Sequence, residues 1–234
     1  LNTSKANQIN IMSEFIAPPC HGVIEVLYQD EHILLINKPS GLLSLSGKHP
    51  LNKDSVHYRL VQDFPSATLL HRLDFGTSGI MLVALNKQVN GLLTQQFQQR
   101  TVSKSYTAVL HGMLATDEGE IDLPIAKDDG NFPLMKICHQ TGKPAHSHYR
   151  VISRTNSEEP QQSSTKVAFS PITGRTHQLR IHSLFLGHPI LGCDLYRNAV
   201  SQQMSARLLL HATTLTFTHP VTFETMKGIC PSPF

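Results

Sequence analysis

The chain has 234 residues, 40% of them hydrophobic and 16% charged, enough for one large domain or two small ones around a sizeable core. Its longest apolar runs, "GIMLVAL" and "RLLLHA", are far too short to cross a bilayer, and "LNTSKANQINIMSEF" lacks the basic and apolar regions of a secretion signal, so a cytoplasmic, membrane-free protein is expected. The net charge of +3 is unevenly spread: residues 1–130 carry ten Lys/Arg against thirteen Asp/Glu, whereas residues 131–234 carry ten against four, with eight of the fourteen histidines, which suits a polyanion held against one side.

In chain order, residues 1–20 read as a flexible leader, with Met12 a candidate native start, ahead of a single domain over 21–234. "VIEVLYQDEHILLINKPSG" predicts two strands joined at Asp30-Glu31 and closed by the Pro and Gly of "KPSG". "DSVHYRLVQDF" predicts a short helix capped by Asp54. "GIMLVAL" is a buried strand, "NKQVNGLLTQQFQQR" has helical spacing through Val89, Leu92, Leu93 and Phe97, and "SKSYTAVLHGML" is strand-like. Residues 117–129 hold six acids and predict an exposed excursion.

"PAHSHYRVISR" and "TKVAFSPI" follow as strands, joined by "TNSEEPQQSS", the best candidate for disorder. "TGRTHQLRIHSLFLG" predicts a helix from an N-capping Thr173 to Gly187, with Leu179 and Leu186 towards the core. "RLLLHATTLTFTHP" supplies a further strand pair. Strands outnumber helices without regular alternation, which predicts an α+β domain rather than a doubly wound sheet. Cys20, Cys138, Cys193 and Cys230 show no C-x-x-C spacing and read as free thiols.

Several chemical signals fail on spacing. "GLLSLSGKH" has five residues between Gly41 and Gly47 and a histidine after Lys48, so it is no phosphate-binding loop. "GTSG" is not a nucleophile elbow. His146 and His148 form an H-x-H pair, but no carboxylate or cysteine stands nearby at a metal-binding spacing, so they read as strand histidines on one face. What remains is "HRLDFGTSG", two opposite charges and a tight turn between apolar segments. Asp74 there is either a turn cap or a carboxylate held at a cleft. Arg175 and Arg180 of "SPITGRTHQLRIH" are either solvated or functional.

"HRLDFGTSG" resembles the H-R-L-D-x-x-T-S-G signature of the RluA-type RNA pseudouridine synthases. "VLYQDEHILLINKPSGLL" is similar to that family's N-terminal hairpin, "KSYTAVLHG" to its K-x-Y strand, "SPITGRTHQLRIHSLFLGHPILGCDLY" to its C-terminal signature and "RLLLHA" to its closing strand. These segments run in order over residues 23–217. The resemblance implies a single catalytic domain on a mixed, largely antiparallel sheet with flanking helices, divided by a cleft with Asp74 on its floor. The short length is most like the branch that acts on both ribosomal and transfer RNA.

The implied reaction breaks the N1–C1′ bond of a uridine, turns the base and rejoins it through C5. No redox change occurs, so no cofactor is implied. Asp74 suits the carboxylate such a site needs; attack on C1′, attack on C6 and removal of a sugar proton all fit that residue type. Arg180 is implied as its partner, because a planar guanidinium fixes a carboxylate's orientation. Tyr106 offers a flat face for an extruded uracil. Arg72 is implied to fill the space the base leaves, with His71 supporting the same loop and expected with it among the RNA contacts. Lys104, Arg175 and His177 are expected phosphate contacts. Lys38 has no role derivable from sequence. The expected partner is RNA and the expected state a monomer; the rival reading is a non-catalytic RNA-binding or RNA-folding protein on the same scaffold.

Overall fold

The computed structural model describes residues 15–234. A hairpin of β1 (Glu25–Gln29) and β2 (Ile33–Lys38) opens the domain. Its turn is pinned by Asp30, whose Oδ1 accepts the N–H groups of His32 and Ile33 at 2.7 and 2.8 Å. Helix α1 (Val56–Asp63), the short β3 (Thr68–Leu69), β4 (Ser78–Ala84) and helix α2 (Lys87–Gln98) follow. Next come β5 (Ser103–His111), β6 (Glu118–Asp122), and the small β7 (Ile125–Lys127) and β8 (Met135–Ile137) pair. The long β9 (His146–Thr155) and β10 (Ser164–Pro171) lead into α3 (Gln178–Phe185) and α4 (Ala199–Gln203). The chain closes with β11 (Leu210–Thr218) and β12 (Thr225–Ile229).

The main sheet runs β1-β2-β4-β11-β5-β10-β9-β6, with β12 added to β11 and β3 to β4. Every pairing is antiparallel except β4 with β11. The α+β expectation therefore holds. Among the described residues no helix is long and apolar enough to cross a membrane.

Two cores lie along this sheet. One gathers Ile33–Ile36, Ile80–Ala84, Leu215 and Phe217; the other gathers Leu110, Val167, Phe169, Leu179 and Ile181. Tyr106 packs against both. The seam between the two halves thus runs past Tyr106, where a cleft was expected.

Several local expectations are corrected. Ser55, not Asp54, caps α1 by accepting the Tyr58 N–H; Asp54 instead grips Arg59 through both oxygens at 2.7 Å. The acidic stretch is an edge strand, because Ile121 alternates with outward acids and packs inside while β6 pairs with β9. Residues 155–164 contain a short 3-10 turn at Pro160–Gln162 and hydrogen bonds linking Ser157, Ser163 and Asn156. "RLLLHATTLTFTHP" yields one strand, and its partner comes from "TMKGI" in the tail. Part of the expected leader is tied down, since Asn52 holds the backbone of Phe15 and Ala17 and Arg59 holds the Cys20 carbonyl. The rest of that leader, with Met12, lies outside the described residues.

The predicted helix start is also displaced. α3 begins at Gln178, after His177 adopts a left-handed φ of 57° without a side-chain cap. Thr173 cannot cap it because its hydroxyl donates to Gln178 Oε1 at 2.7 Å and accepts the His146 N–H at 2.8 Å. Gly187 ends the helix with φ 80°, as its position predicts.

Two features of the sheet position the "HRLDFGTSG" loop. At Gly79 φ is 115°, and a Cβ would stand 2.2 Å from the Ala212 carbonyl oxygen, so only glycine lets β4 and β11 approach. Gly79 pairs with Ala212, and Ala212 with Tyr106, which sets the loop before β4 beside Tyr106. The second feature is "KPSGLLS", which fastens the loop from behind. Lys38 Nζ is buried and donates to the carbonyls of Pro39, Leu42 and Phe75 at 2.9, 2.7 and 3.3 Å. Ser40 binds the Gly76 carbonyl and Ser44 the Leu73 carbonyl, both at 2.7 Å.

Gly79→Ala is expected to destabilise the domain by about 3 kcal/mol or more, since it combines a forbidden φ with a backbone clash. Denaturant melts of the two proteins measure it, and a change below about 1 kcal/mol would contradict this account of the β4–β11 contact.

Lys38 makes a second prediction. Burial brings its pKa from 10.5 down to about 7. Between those values the unfolded chain holds a proton that the folded chain has released, so stability should rise with pH from about 7 towards 10.5. Lys38→Met should remove that rise while costing stability through the three stranded carbonyls. Melts of both proteins at several alkaline pH values test this: the gap between them should widen with pH.

Candidate active site

Asp74 sits at the tip of the loop between β3 and β4, where its carbonyl accepts the Thr77 N–H at 3.1 Å to close the turn. The next residues are consumed by anchoring. Ser78 bonds to His211 Nδ1 at 2.8 Å and accepts from Arg207 at 2.6 Å, while His211 Nε2 meets the Cys230 carbonyl at 3.0 Å. The Thr-Ser-Gly portion of the motif is therefore the foot of the loop, and Asp74 is what the foot holds up.

Arg180 reaches Asp74 from α3, its Nη1 lying 3.8 Å from Oδ2. Only 4% of the arginine side chain is exposed against 26% for Asp74, so the cation is the fixed partner. Its other nitrogens are held by the Cys193 sulfur at 3.3–3.4 Å and by a short ion pair to Asp194 Oδ1, and its Cζ lies 5.3 Å from the Tyr196 ring centre. Burial works against its charge, but Cys193, Asp74 and Asp194 outweigh burial and hold its pKa above the ordinary value. The guanidinium stays charged and is held by Cys193 and Asp194 beside Asp74.

Asp74 and Arg180 face a small pocket of about 90 Å³, lined also by Arg72, Thr77, Lys104, Tyr106, Arg175 and His177. That is well below the roughly 300–1,000 Å³ of sites for drug-sized ligands, and suits one flat heterocycle. The Tyr106 hydroxyl makes no hydrogen bond to any described residue. Burial, aided by the Asp74 charge, pushes its pKa above 10, so it stays a neutral phenol able to donate.

The structure brings seven of the eight sequence-predicted residues to this pocket. Arg72 is exposed at its mouth with no hydrogen bond or ion pair among the described residues. Lys104 is half-buried, its pKa lowered by burial. Arg175 donates through Nε to the Pro144 carbonyl at 3.0 Å, leaving the end of its guanidinium available. His177 bonds to the Tyr196 hydroxyl at 2.8 Å, and burial lowers its pKa against the pull of Asp74, so it favours the neutral ring.

His71 is the exception. Its ring stacks on Phe97 with centroids 5.2 Å apart, and Nε2 accepts the Leu82 N–H at 3.1 Å. Burial, with Lys104 nearby, takes its pKa down to about 3. The expected RNA contact is corrected: His71 is a neutral ring turned inwards that braces the loop against α2 and β4.

Sequence reasoning assigned no role to Cys193, Asp194 and Tyr196, although all three belong to the quoted "GCDLY" and all hold Arg180. Tyr196 also accepts the Met135 N–H at 2.8 Å, and its hydroxyl pKa is pushed up to about 12 by burial. Gln178 was missed too. Its amide donates to the His146 carbonyl and Ser147 Oγ, and its oxygen accepts from Thr173 and the Arg175 N–H, so one side chain organises the approach to α3.

Comparison with known proteins supplies the family. Residues 32–184 match the family model described as RNA pseudouridylate synthase. The chain is 50% identical over 209 residues to a protein of Yersinia pestis named dual-specificity RNA pseudouridine synthase RluA, covering 89% of this chain and 99% of the relative. It is 45% identical over 217 residues to the protein of the same name in Escherichia coli strain K12, covering 93% and 97%. Among solved structures, human RNA pseudouridylate synthase domain containing 1 superposes with a TM-score of 0.76 at 29% identity, over 93% of this chain and 86% of that one. Human RNA pseudouridylate synthase domain containing 4 gives 0.68 at 26% identity, over 89% and 88%. A family model matching residues 32–184, with relatives 45–50% identical over most of both chains, makes this protein a member of the RNA pseudouridine synthase family, an isomerase.

Proposed function

We propose that this isomerase acts on uridines in structured RNA of both kinds, a large-subunit ribosomal RNA hairpin loop and a transfer RNA anticodon stem-loop, as a monomer in the cytoplasm. The observation that carries the reading is the Asp74–Arg180 pair, 3.8 Å apart, in a pocket sized for one base and supplied by one chain. The names of the relatives support the dual substrate range.

In this reading the uridine leaves its stack and enters the pocket against Tyr106, whose free hydroxyl donates to the base edge. Asp74 is the carboxylate that acts on the nucleotide. Arg180 fixes its orientation and keeps a positive charge beside it, and Asp194 and Cys193 keep Arg180 from following the substrate. Arg72, unheld at the mouth, enters the vacated stack and offsets part of an unstacking cost of a few kcal/mol. Lys104 and Arg175, which flank the pocket, take the phosphates on either side.

Tritium release from RNA labelled at uracil C5 tests the assignment. Wild type should release tritium from both the anticodon stem-loop and unmodified ribosomal RNA. Asp74→Asn should lower release by about 10²–10⁴-fold or more while leaving RNA affinity nearly unchanged. Full activity in that variant would sink the role given to Asp74. Release from one RNA class alone would remove the dual range, and binding without release from either would favour the non-catalytic reading.

Arg72→Ala separates extraction of the base from chemistry. It should lower kcat/KM on the stem-loop by about 10–100-fold, reflecting the lost stacking substitute, and by far less on an unstructured oligonucleotide of the same sequence. Equal losses on both would place Arg72 among ordinary backbone contacts.

A further inference from the structure

On the face of the sheet opposite the pocket, Glu120, His146 and His148 converge. β9 alternates, so Ser147 and Tyr149 point into the core while His146 and His148 point out together. β6 pairs with β9 so that Glu120 stands directly opposite His148, and its side chain shares that outer face. The carboxylate reaches both rings: Oε2 is 3.3 Å from His146 Nε2 and Oε1 is 3.2 Å from His148 Nδ1. The ring centroids are 4.6 Å apart. One ligand atom from each of the three residues lies within 4.8 Å of the others.

We propose that these three side chains form a binding site for a divalent first-row transition-metal ion of the zinc type, clipping edge strand β6 to β9. Two imidazoles and one carboxylate are a donor set for such ions rather than for magnesium or calcium, which prefer oxygen alone. In a tetrahedral site with bonds of about 2.0–2.1 Å, neighbouring ligand atoms stand about 3.3 Å apart. Glu120 stands at that spacing from each ring through a different oxygen, so a bound ion would be held by both carboxylate oxygens or after a small turn of the carboxylate onto one. The three residues leave a fourth position for water, the arrangement of an open site.

A surface ion pair is the plainer account, and one atom argues against it. His146 Nε2 is shielded from solvent and makes no hydrogen bond among the described residues, although a Glu120 oxygen lies 3.3 Å away. A shielded imidazole nitrogen without a hydrogen bond is costly, and a bound ion would satisfy it. None of the three residues lines the catalytic pocket, so the clip is separate from the isomerase chemistry.

The test uses chelator-treated, dialysed protein titrated with Co²⁺ and with Zn²⁺. Expected results are one equivalent bound by calorimetry, visible absorption bands from the Co²⁺ form, and a higher melting midpoint with Zn²⁺. Glu120→Gln and His148→Ala should each weaken binding at least about tenfold and abolish the thermal shift. Both substitutions fall on partly or fully exposed side chains, and unchanged tritium release would show that each variant is folded. Absence of binding by wild type would overturn the proposal, as would binding that neither substitution weakens.

Discussion

The site depends on how closely β4 and β11 can run side by side. Among the described strands they form the one parallel pairing, with two residue pairs in register, Ser78 with His211 and Gly79 with Ala212. From Gly79 one ladder row extends outward through Lys38 on one side and through Ala212, Tyr106, Phe169, Tyr149 and Gly119 on the other. The two cores are thereby joined across one line of backbone, and Tyr106 lies where they meet. Asp74 stands at the top of the loop that enters this row. Its place beside Tyr106 is set by this row together with the Lys38, Ser40 and Ser44 anchors behind the loop. A shift of about 1 Å in that row would cost reactivity without touching a reacting group.

The electrostatic design follows from that rigidity. A buried arginine is expensive unless its charge and its donors are met, and Arg180 is met on three sides by Asp74, Cys193 and Asp194. Asp194 is far more exposed than Asp74, 67% against 26% by side chain, so solvent screens it more. The two carboxylates are therefore unequal partners. Asp194 steadies the cation from the wet side, and Asp74, in the pocket, receives its field. At 3.8 Å the Asp74 contact is an electrostatic one, longer than a charge-assisted hydrogen bond of about 2.7–2.9 Å, which leaves carboxylate lone pairs free for a substrate.

Much of this was legible in the sequence because short segments carried it. "HRLDFGTSG", "KSYTAVLHG" and "THQLRIH" are contiguous, and the pocket is where those three meet. What was not legible came from pairings between distant segments. Lys38 had no derivable role because its third acceptor, the Phe75 carbonyl, lies 37 residues away. His71 looked like a support for RNA contact until Phe97 and Leu82 were seen to occupy its ring. Thr173 has the composition of a helix cap, but its hydroxyl is claimed by the His146 N–H of β9 and the Gln178 side chain. The H-x-H pair was dismissed for want of a neighbouring carboxylate, and Glu120 arrives only through the β6–β9 ladder, on a stretch read as an exposed excursion. Local pattern registers which face a residue takes, but not which strand will lie beside it.

β9 shows how one strand serves both faces. Its inward Ser147 accepts from Gln178 Nε2 at 2.9 Å and bonds His182 Nδ1 at 3.1 Å, so the start and body of α3 are registered on it. Its outward His146 and His148 face Glu120. The two roles meet in the backbone of His146, whose N–H goes to Thr173 Oγ1 and whose carbonyl accepts from Gln178. Those same two side chains shape the turn that carries Arg175 and His177 to the pocket. One strand thus carries the supports of α3 on its inner residues and the histidine pair on its outer ones.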